Sequence, residues 1–516
     1  MKNTFTFLVL MLSQIGMAQH DTLAINQVWA NINASGAFFT SPMANRAGYE
    51  VPNLNGMGPK LIYASSFWFG AVDQNMNIHL STTGFASSMY PGPIATNYTS
   101  VNYVNRYNHV YSVTSSEIQT HQQNWNNPNY TIPADILNWP GNGDANNGEA
   151  AILAPFVDYN ANNIYEPNLG DHPVIRGDKT LYFIMNDLAE QRDSSQALPL
   201  GLEYHFMTYQ YARSGFLDST TFVNVKVVNR SQDIYNQFIV ANYADFDIGG
   251  SLDDLVGCSS SRNMMFGYNG DNIDDGSSGG AALFGVNPPV CGVKLLSHTM
   301  DASAYYSNGG AGSNSNTHLN IWNNINGNWG DGSSFTLGGY GYGGTIPTNY
   351  IFDGNPNDTS LWTDQNPNDR RAFIASESSD NFMPGDYKCY DFAILYSRTG
   401  GNSLLNVNGL FDVADSAQTF YDSQSYFYCE PLLLGESEID IESNYFSIFP
   451  NPAQSEFRIK ADGAFNVAIY DITGKMIQKE GDINQNQSIA TPKNSGIYLV
   501  EITQNGISST KKLIVQ

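Results

Sequence analysis

Along the second half of the chain, apolar residues come in runs that suit strands and stop short of long helices. Leu181-Tyr182-Phe183-Ile184-Met185, Leu202 to Tyr211, Thr221 to Asn229, Phe238 to Tyr243 and Phe392-Ala393-Ile394-Leu395-Tyr396 are bounded by turn residues and read as strands. Leu202 to Tyr211 and Thr221 to Asn229 are an expected neighbouring pair. Val223, Val225 and Val227 alternate with Asn224, Lys226 and Val228, which predicts a sheet with one wetter face. Nearer the N-terminus, Leu61-Ile62-Tyr63, Phe67-Trp68-Phe69 and Asn77-Ile78-His79-Leu80 continue the pattern. Ser115 to Gln123 predicts a short helix, capped by Ser115 or Ser116 ahead of Glu117, and Ile132 to Trp139 a second. Nothing alternates strand with long helix, so a doubly wound sheet is disfavoured. The expected class is all-β, an antiparallel β-sandwich body with loop insertions.

The last seventy or so residues repeat the alternation on a smaller scale. Tyr445 to Phe449, Phe457-Arg458-Ile459, Phe465 to Tyr470, Ile497 to Ile502 and Lys512 to Val515 are short period-two runs. Asp471-Ile472-Thr473-Gly474 and Gln504-Asn505-Gly506 supply the turns. Such a module closes as a small antiparallel, immunoglobulin-like β-sandwich. Phe449-Pro450-Asn451-Pro452, Ile469-Tyr470-Asp471 with Gly474-Lys475, Gly496-Ile497-Tyr498-Leu499-Val500 and Lys511 to Val515 stand in that order. In this the tail resembles the type A sorting domain of the type IX secretion system of the Bacteroidetes. The resemblance implies recognition by that machinery at the outer membrane, removal of the tail, and release or attachment at the cell surface.

The body carries a second resemblance, through Tyr49-Glu50-Val51-Pro52, Phe67-Trp68-Phe69-Gly70, Tyr90-Pro91-Gly92-Pro93, Trp139-Pro140 and Leu153 to Asp187. These pieces are similar to a family of large secreted Bacteroidetes proteins, over roughly Asn31 to Tyr421. That likeness implies a fold and leaves activity open. The expected organisation is a signal peptide at 1–19, an N-terminal β-rich region at 20–180 and a central β-sandwich region at 181–433. A linker at 434–444 and the sorting domain at 445–516 follow. Lys2, the apolar stretch Phe5 to Leu12 and Gly16-Met17-Ala18-Gln19 make up the signal peptide. No Cys follows the cleavage zone, so a lipid anchor is not indicated, and no other stretch approaches the ~18 apolar residues of a transmembrane helix.

Charge narrows the list of partners. Only 14% of residues are charged, against about 25% in ordinary domains. The net charge of −25 therefore reflects scarce Lys and Arg as much as abundant acid, and such a chain repels phosphate backbones. Nucleic acid is not expected as a partner; the acidic balance suits cation binding or, more simply, solubility, and the simpler reading is the preferred one. Of the cysteines, sequence proximity favours Cys258–Cys291 and Cys389–Cys429 pairs, each worth about 3–4 kcal/mol of loop entropy. Free buried thiols are the equal alternative, and the pairing stays open.

Two acidic stretches are candidate calcium sites. In Asp158-Tyr159-Asn160-Ala161-Asn162-Asn163-Ile164, oxygen side chains fall at positions one, three and five, and Ile164 offers a carbonyl at seven. Alternate positions on a tight loop can gather the six to eight oxygens calcium takes. Leu169 occupies the place of the bidentate Glu, so Asp171 or Glu166 has to substitute, and Asn163 replaces the usual Gly. The plainer alternative is an Asx-turn loop. The second stretch holds Asp245, Asp247, Asp253 and Asp254; four carboxylates this close repel one another unless a cation intervenes. These acids and Gly257-Cys258 also match the secreted family's acidic motif.

Catalytic motifs fail on context. Gly276-Ser277-Ser278-Gly279-Gly280 has the spacing of a serine-hydrolase elbow but sits in a Gly/Ser loop. Gly339 to Gly344 has the spacing of a dinucleotide loop, but Thr345-Ile346-Pro347 follows where a helix belongs. The His residues are scattered and lack zinc spacing. Trp125, Trp139, Trp322, Trp329 and Trp362 lie in polar surroundings and are candidates for stacking on a carbohydrate or other surface polymer. The sequence therefore favours a non-enzymatic secreted or surface protein for adhesion or polymer binding. A secreted hydrolase acting on polysaccharide or protein is the alternative.

Overall fold

A computed structural model describes residues 20–41, 46–83, 88–96, 106–188, 197–275, 282–306, 317–424, 446–461, 464–471, 475–484, 487–504 and 507–515. The chain divides into two compact units, Met1–Leu434 and Gly435–Gln516. The residues of the signal peptide, linker, Gly276–Gly280 elbow and Cys429 lie outside those described.

The larger unit is built on two antiparallel sheets. The first runs His20–Leu23, Trp29–Asn33, Tyr49–Glu50, Lys60–Asp73, Tyr235–Phe246, Arg370–Glu377 and Ala302–Tyr306, with Ile78–Thr82 also paired to Lys60–Asp73. The second runs Asp254–Ser259, Met264–Asn269, Val290–Leu295, Tyr387–Ser397, Thr221–Asn229, Leu202–Gln210, Lys179–Asn186 and Tyr90–Pro91, with Tyr111–Thr114 on the flank of Lys179–Asn186. Strands from before and after residue 180 thus share both sheets. The expected pair Leu202–Gln210 and Thr221–Asn229 is adjacent, with Phe206 opposite Val225. Tyr235–Phe246 leaves those neighbours for the other sheet.

Aromatic rings fill the space between the layers. Phe67 and Phe69 of the first sheet meet Phe206, Phe392 and Tyr204 of the second, with centroids 4.6–5.6 Å apart. Val223, Val225 and Val227 face this core, while the half-buried Lys226 lies on the opposite face, which is covered where the alternation predicted a wetter one. Gly70 is required by packing. A Cβ there would lie 2.5 Å from Ile325 Cδ1 of the helix His318–Ile325, which rides on the outside of the first sheet.

The outer face of the second sheet is covered by a second apolar cluster, formed by the 107–175 insertion and the 21-residue helix Ser403–Ser423. Asn402 caps that helix through its side chain. Val407, Leu410, Phe411, Ala414 and Ala417 form its buried stripe. The short helix Ser115–Asn124 is capped one residue earlier than expected, by Thr114 in a capping box with Glu117.

Cys258 and Cys291 are free buried thiols, which corrects the Cys258–Cys291 pairing. The strand Met264–Asn269 runs between theirs, pairing with each, so the two cysteines never face one another. Cys389 is disulfide-bonded.

The smaller unit has its own core of Phe457, Ile459, Phe465, Val467, Ile469, Val500, Ile502 and Leu513. Phe446–Phe449, Glu456–Ala461 and Ser488–Ala490 form one sheet, and Met476–Ile483, Phe465–Asp471, Gly496–Gln504 and Ile507–Val515 the other.

One buried acid makes the larger unit sensitive to pH. Asp187 accepts hydrogen bonds from Leu200 N and Leu202 N at 2.6 and 2.9 Å, and burial pushes its carboxyl up to about 6. The folded state then holds a proton that the unfolded chain, titrating near 4, has released. The contribution is complete below about pH 4 and lost as pH rises through 6. Asp187→Asn should flatten the fall in stability between pH 4 and 7 by up to about 3 kcal/mol relative to the parent, read from urea unfolding at each pH.

Candidate metal centre

The first sheet carries its carboxylates to one end. Asp245 lies at the end of Tyr235–Phe246, opposite Arg371 on one side and Ala64 on the other. Asp247 follows as the chain leaves the strand, and Asp369 immediately precedes Arg370–Glu377. One oxygen each from Asp245, Asp247 and Asp369 lies within 4.8 Å of the other two. That span is twice a calcium–oxygen distance of ~2.4 Å, so a single ion could touch all three.

Electrostatics at this end are unbalanced. Arg371 Nε lies 3.2 Å from Asp245 Oδ1, and Arg371 Nη2 donates to Asp369 Oδ2 at 3.1 Å. One guanidinium thus serves three acids. Burial first, then the neighbouring acids, pushes the Asp247 carboxyl up to about 8. Burial raises Asp245 to about 7 against the pull of Arg371. A divalent cation would remove the repulsion that both values record.

Asp253 and Asp254 stand apart from this trio. Asp254 is fully buried, its Oδ2 accepts from Ile248 N at 2.9 Å, and burial pushes its carboxyl well up. Asp253 Oδ2 accepts from Asp275 N at 3.2 Å. Asp274, which the sequence did not single out, accepts from Gly250 N and Phe284 N. Gly249 permits this: its φ is +77°, and a Cβ would fall 1.9 Å from Asp274 Oδ2. Asp254 and Asp274 pin the loop, whereas Asp245, Asp247 and Asp369 converge. Asp369 could not be picked out beforehand, because only strand pairing brings Asn368-Asp369-Arg370-Arg371 to this end.

The 158–171 loop is wrapped by its own side chains. Asp158 Oδ2 accepts from Asn163 N at 2.5 Å, Asn160 Oδ1 from Asn162 N at 3.1 Å, and Asn162 Oδ1 from Ile164 N at 2.8 Å. Asp171 is buried and accepts from Tyr159 N and Glu166 N, closing the loop's two ends. Burial raises its carboxyl, and Asp158 and Glu166 add to the rise. Asn163 takes the left-handed conformation at φ +61°.

Other candidate chemistry is mostly enclosed. Tyr182 Oη lies 2.6 Å from His205 Nδ1, and His205 Nε2 lies 3.0 Å from Glu203 Oε1, but all three are buried. Trp139 and Trp329 are buried plugs, and Trp322 and Trp362 pack on the main core. Beside Trp139 a cavity of about 390 Å³ opens. Gly339 to Gly344 is a run of turns with no helix behind it.

Residues 447–516 match the family model described as a secretion system C-terminal sorting domain. The chain is a cargo of the type IX secretion system. The domain directs the cargo out of the cell, to the medium or the outer cell surface, with the type IX machinery as its partner. Among the described residues no helix of the cargo is long and apolar enough to cross a membrane. No curated protein matches the cargo. Among solved structures it is similar to a polysaccharide lyase, at 8% identity over 61% of this chain and 34% of that one, with a TM-score of 0.20. It thus spans about a third of the lyase. A putative aldose 1-epimerase from Escherichia coli K12 shares 8% identity over 74% of the cargo and 99% of the epimerase, at a TM-score of 0.25. PorZ, a surface component of the type IX system of Porphyromonas gingivalis, shares 10% over 96% and 75%, at a TM-score of 0.13. At these TM-scores none of the three bears on activity.

Proposed function

We propose that the exported body is a non-enzymatic adhesion or polymer-binding protein stiffened by calcium. The observation that carries the calcium reading is the convergence of Asp245, Asp247 and Asp369 within 4.8 Å, with a single guanidinium to balance them. The 158–171 loop is a second candidate calcium site, through Asp158, Asn160, Asn162, the Ile164 carbonyl and Asp171. Few charged ligands place both in the ~10⁻⁴–10⁻³ M range of extracellular modules. The non-enzymatic reading is supported by the burial of the Glu203–His205–Tyr182 relay, which closes it to substrate. The binding reading is supported by the aromatic-lined cavity beside Trp139.

About 5 mM calcium should stabilise the body by about 1–2 kcal/mol, by mass action on a site of that affinity. Melting curves with calcium and with a chelator read this out. Asp247→Asn separates the trio from the loop. It should raise stability in chelator at pH 8, by removing one of three crowded charges, and abolish the calcium increment. A full increment in Asp247→Asn would move the ion to the 158–171 loop. Identical curves with calcium and chelator would end the calcium reading, and cleavage of a polysaccharide or protein by the purified cargo would end the non-enzymatic one.

A further inference from the structure

The cavity beside Trp139 lies in the 107–175 insertion, away from the acidic trio. Its walls include three rings, Tyr107, Tyr111 and Trp139, and the polar side chains of Arg106, His109 and Asn138. At about 390 Å³ it lies within the ~300–1,000 Å³ of small-molecule sites. Trp139 is fixed from behind, its Nε1 donating to Pro155 O at 3.0 Å and its ring lying 4.8 Å from that of Tyr182.

The polar groups are held in place by neighbouring carboxylates and backbone. His109 Nε2 lies 2.8 Å from Asp135 Oδ1, so a carboxylate sets the imidazole from behind. Arg106 sits over the Tyr107 ring at 5.0 Å, and its Nη1 lies 3.7 Å from Glu149 Oε1 and 3.9 Å from Asp144 Oδ2. Both distances exceed a hydrogen bond. Arg106 therefore keeps its N–H donors while two carboxylates more than cancel its charge. Asn138 is exposed and its Nδ2 donates to Ala134 O at 2.9 Å, so its amide oxygen remains to accept.

These features select a ligand class. An anion would meet Glu149 and Asp144 behind the guanidinium, and a cation would meet Arg106. A purely apolar ligand would strand donors and acceptor alike. A neutral ring with hydroxyls on its edge and C–H groups on its face satisfies all of them. It can accept from Arg106 and donate to Asn138 at the mouth of the cavity, above the edges of Tyr107, Tyr111 and Trp139, which are 3%, 6% and 3% exposed. We propose that this cavity binds a neutral sugar unit of a glycan. The inference rests on the polymer-binding reading above and gives that reading its ligand class.

The test is titration calorimetry on the complete secreted cargo, with glucose-, galactose-, mannose- and xylose-based hexasaccharides and with oligogalacturonate as the charged control. Saturable binding of at least one neutral hexasaccharide is expected, at least tenfold tighter than oligogalacturonate. Arg106→Ala and Asn138→Ala change exposed side chains. Each should weaken binding about tenfold, the loss of one hydrogen bond, at an unchanged melting temperature. Equal or tighter binding of oligogalacturonate would overturn the neutral class. Neutral binding untouched by both variants would overturn this site while leaving polymer binding intact. No binding of any probe would overturn both.

Discussion

A chain ending at Asn444 should be retained inside the outer membrane and disappear from the cell surface and the medium. The reason is the match of residues 447–516 to a sorting domain, combined with where its strands pair. Among the described residues, all seven form two sheets within Gly435–Gln516. Val500 and Ile502, on the strand Gly496–Gln504, are buried in that unit's own core. Truncation is therefore expected to leave the body folded, with its melting temperature unchanged, so that loss of export is not loss of structure. Val500→Asp, which buries an unpaired carboxylate in the small core, should reproduce the export defect in a full-length chain. Fractionation with protease shaving of intact cells measures both. A truncated chain found in the medium would mean that another segment carries the export signal.

Arg370→Met should cost the larger unit about 3–5 kcal/mol, the penalty for leaving a buried carboxylate without its cation. Arg370 and Asp364 are 3% and 1% exposed. Nε lies 2.9 Å from Oδ2 and Nη2 donates to Oδ1 at 3.0 Å. The guanidinium also donates to Asn366 O and lies 4.8 Å from the Tyr305 ring. Adding Asp364→Asn to Arg370→Met should recover part of the loss, because the stranded charge is then gone. Urea unfolding of the parent, the two single variants and the double variant gives the coupling. Arg370 directly follows Asp369, so the single variant should also blunt the response to calcium.

The strands were legible, but beyond the neighbours Leu202–Gln210 and Thr221–Asn229 their partners were not. Leu181 to Met185, Leu202 to Tyr211 and Thr221 to Asn229 announce themselves because both faces of their sheet are covered, which makes the runs nearly continuous. Nothing local says that Tyr235–Phe246 should leave these neighbours and pair with Lys60–Asp73. That choice depends on which apolar face a distant strand offers. The helix Ser403–Ser423 escaped notice because Gly409 and several polar residues dilute its stripe, although Val407, Leu410, Phe411, Ala414 and Ala417 keep helical spacing. The acidic site was half legible. Asp245 and Asp247 sit two apart on one strand end, whereas Asp369 arrives through sheet pairing. Asp253 and Asp254, as prominent in the sequence, each spend one oxygen on a backbone N–H group and lie outside the trio. The tail was the most readable part, since its motifs recur in order within a short span.

The two interior cysteines are protected by where the sheets put them. Cys258 and Cys291 are free thiols in the body, and burial pushes the pKa of each up, so little reactive thiolate exists once the sandwich closes. Cys389 is oxidised in the same molecule. A polypeptide that entered an oxidising compartment unfolded with all its sulfurs open could couple any of them. In the folded body Cys258 and Cys291 are enclosed and lie on strands separated by Met264–Asn269, so they cannot couple to each other. The interior thus guards its two thiols twice over: enclosure keeps them from solvent, and the strand between them keeps them from each other.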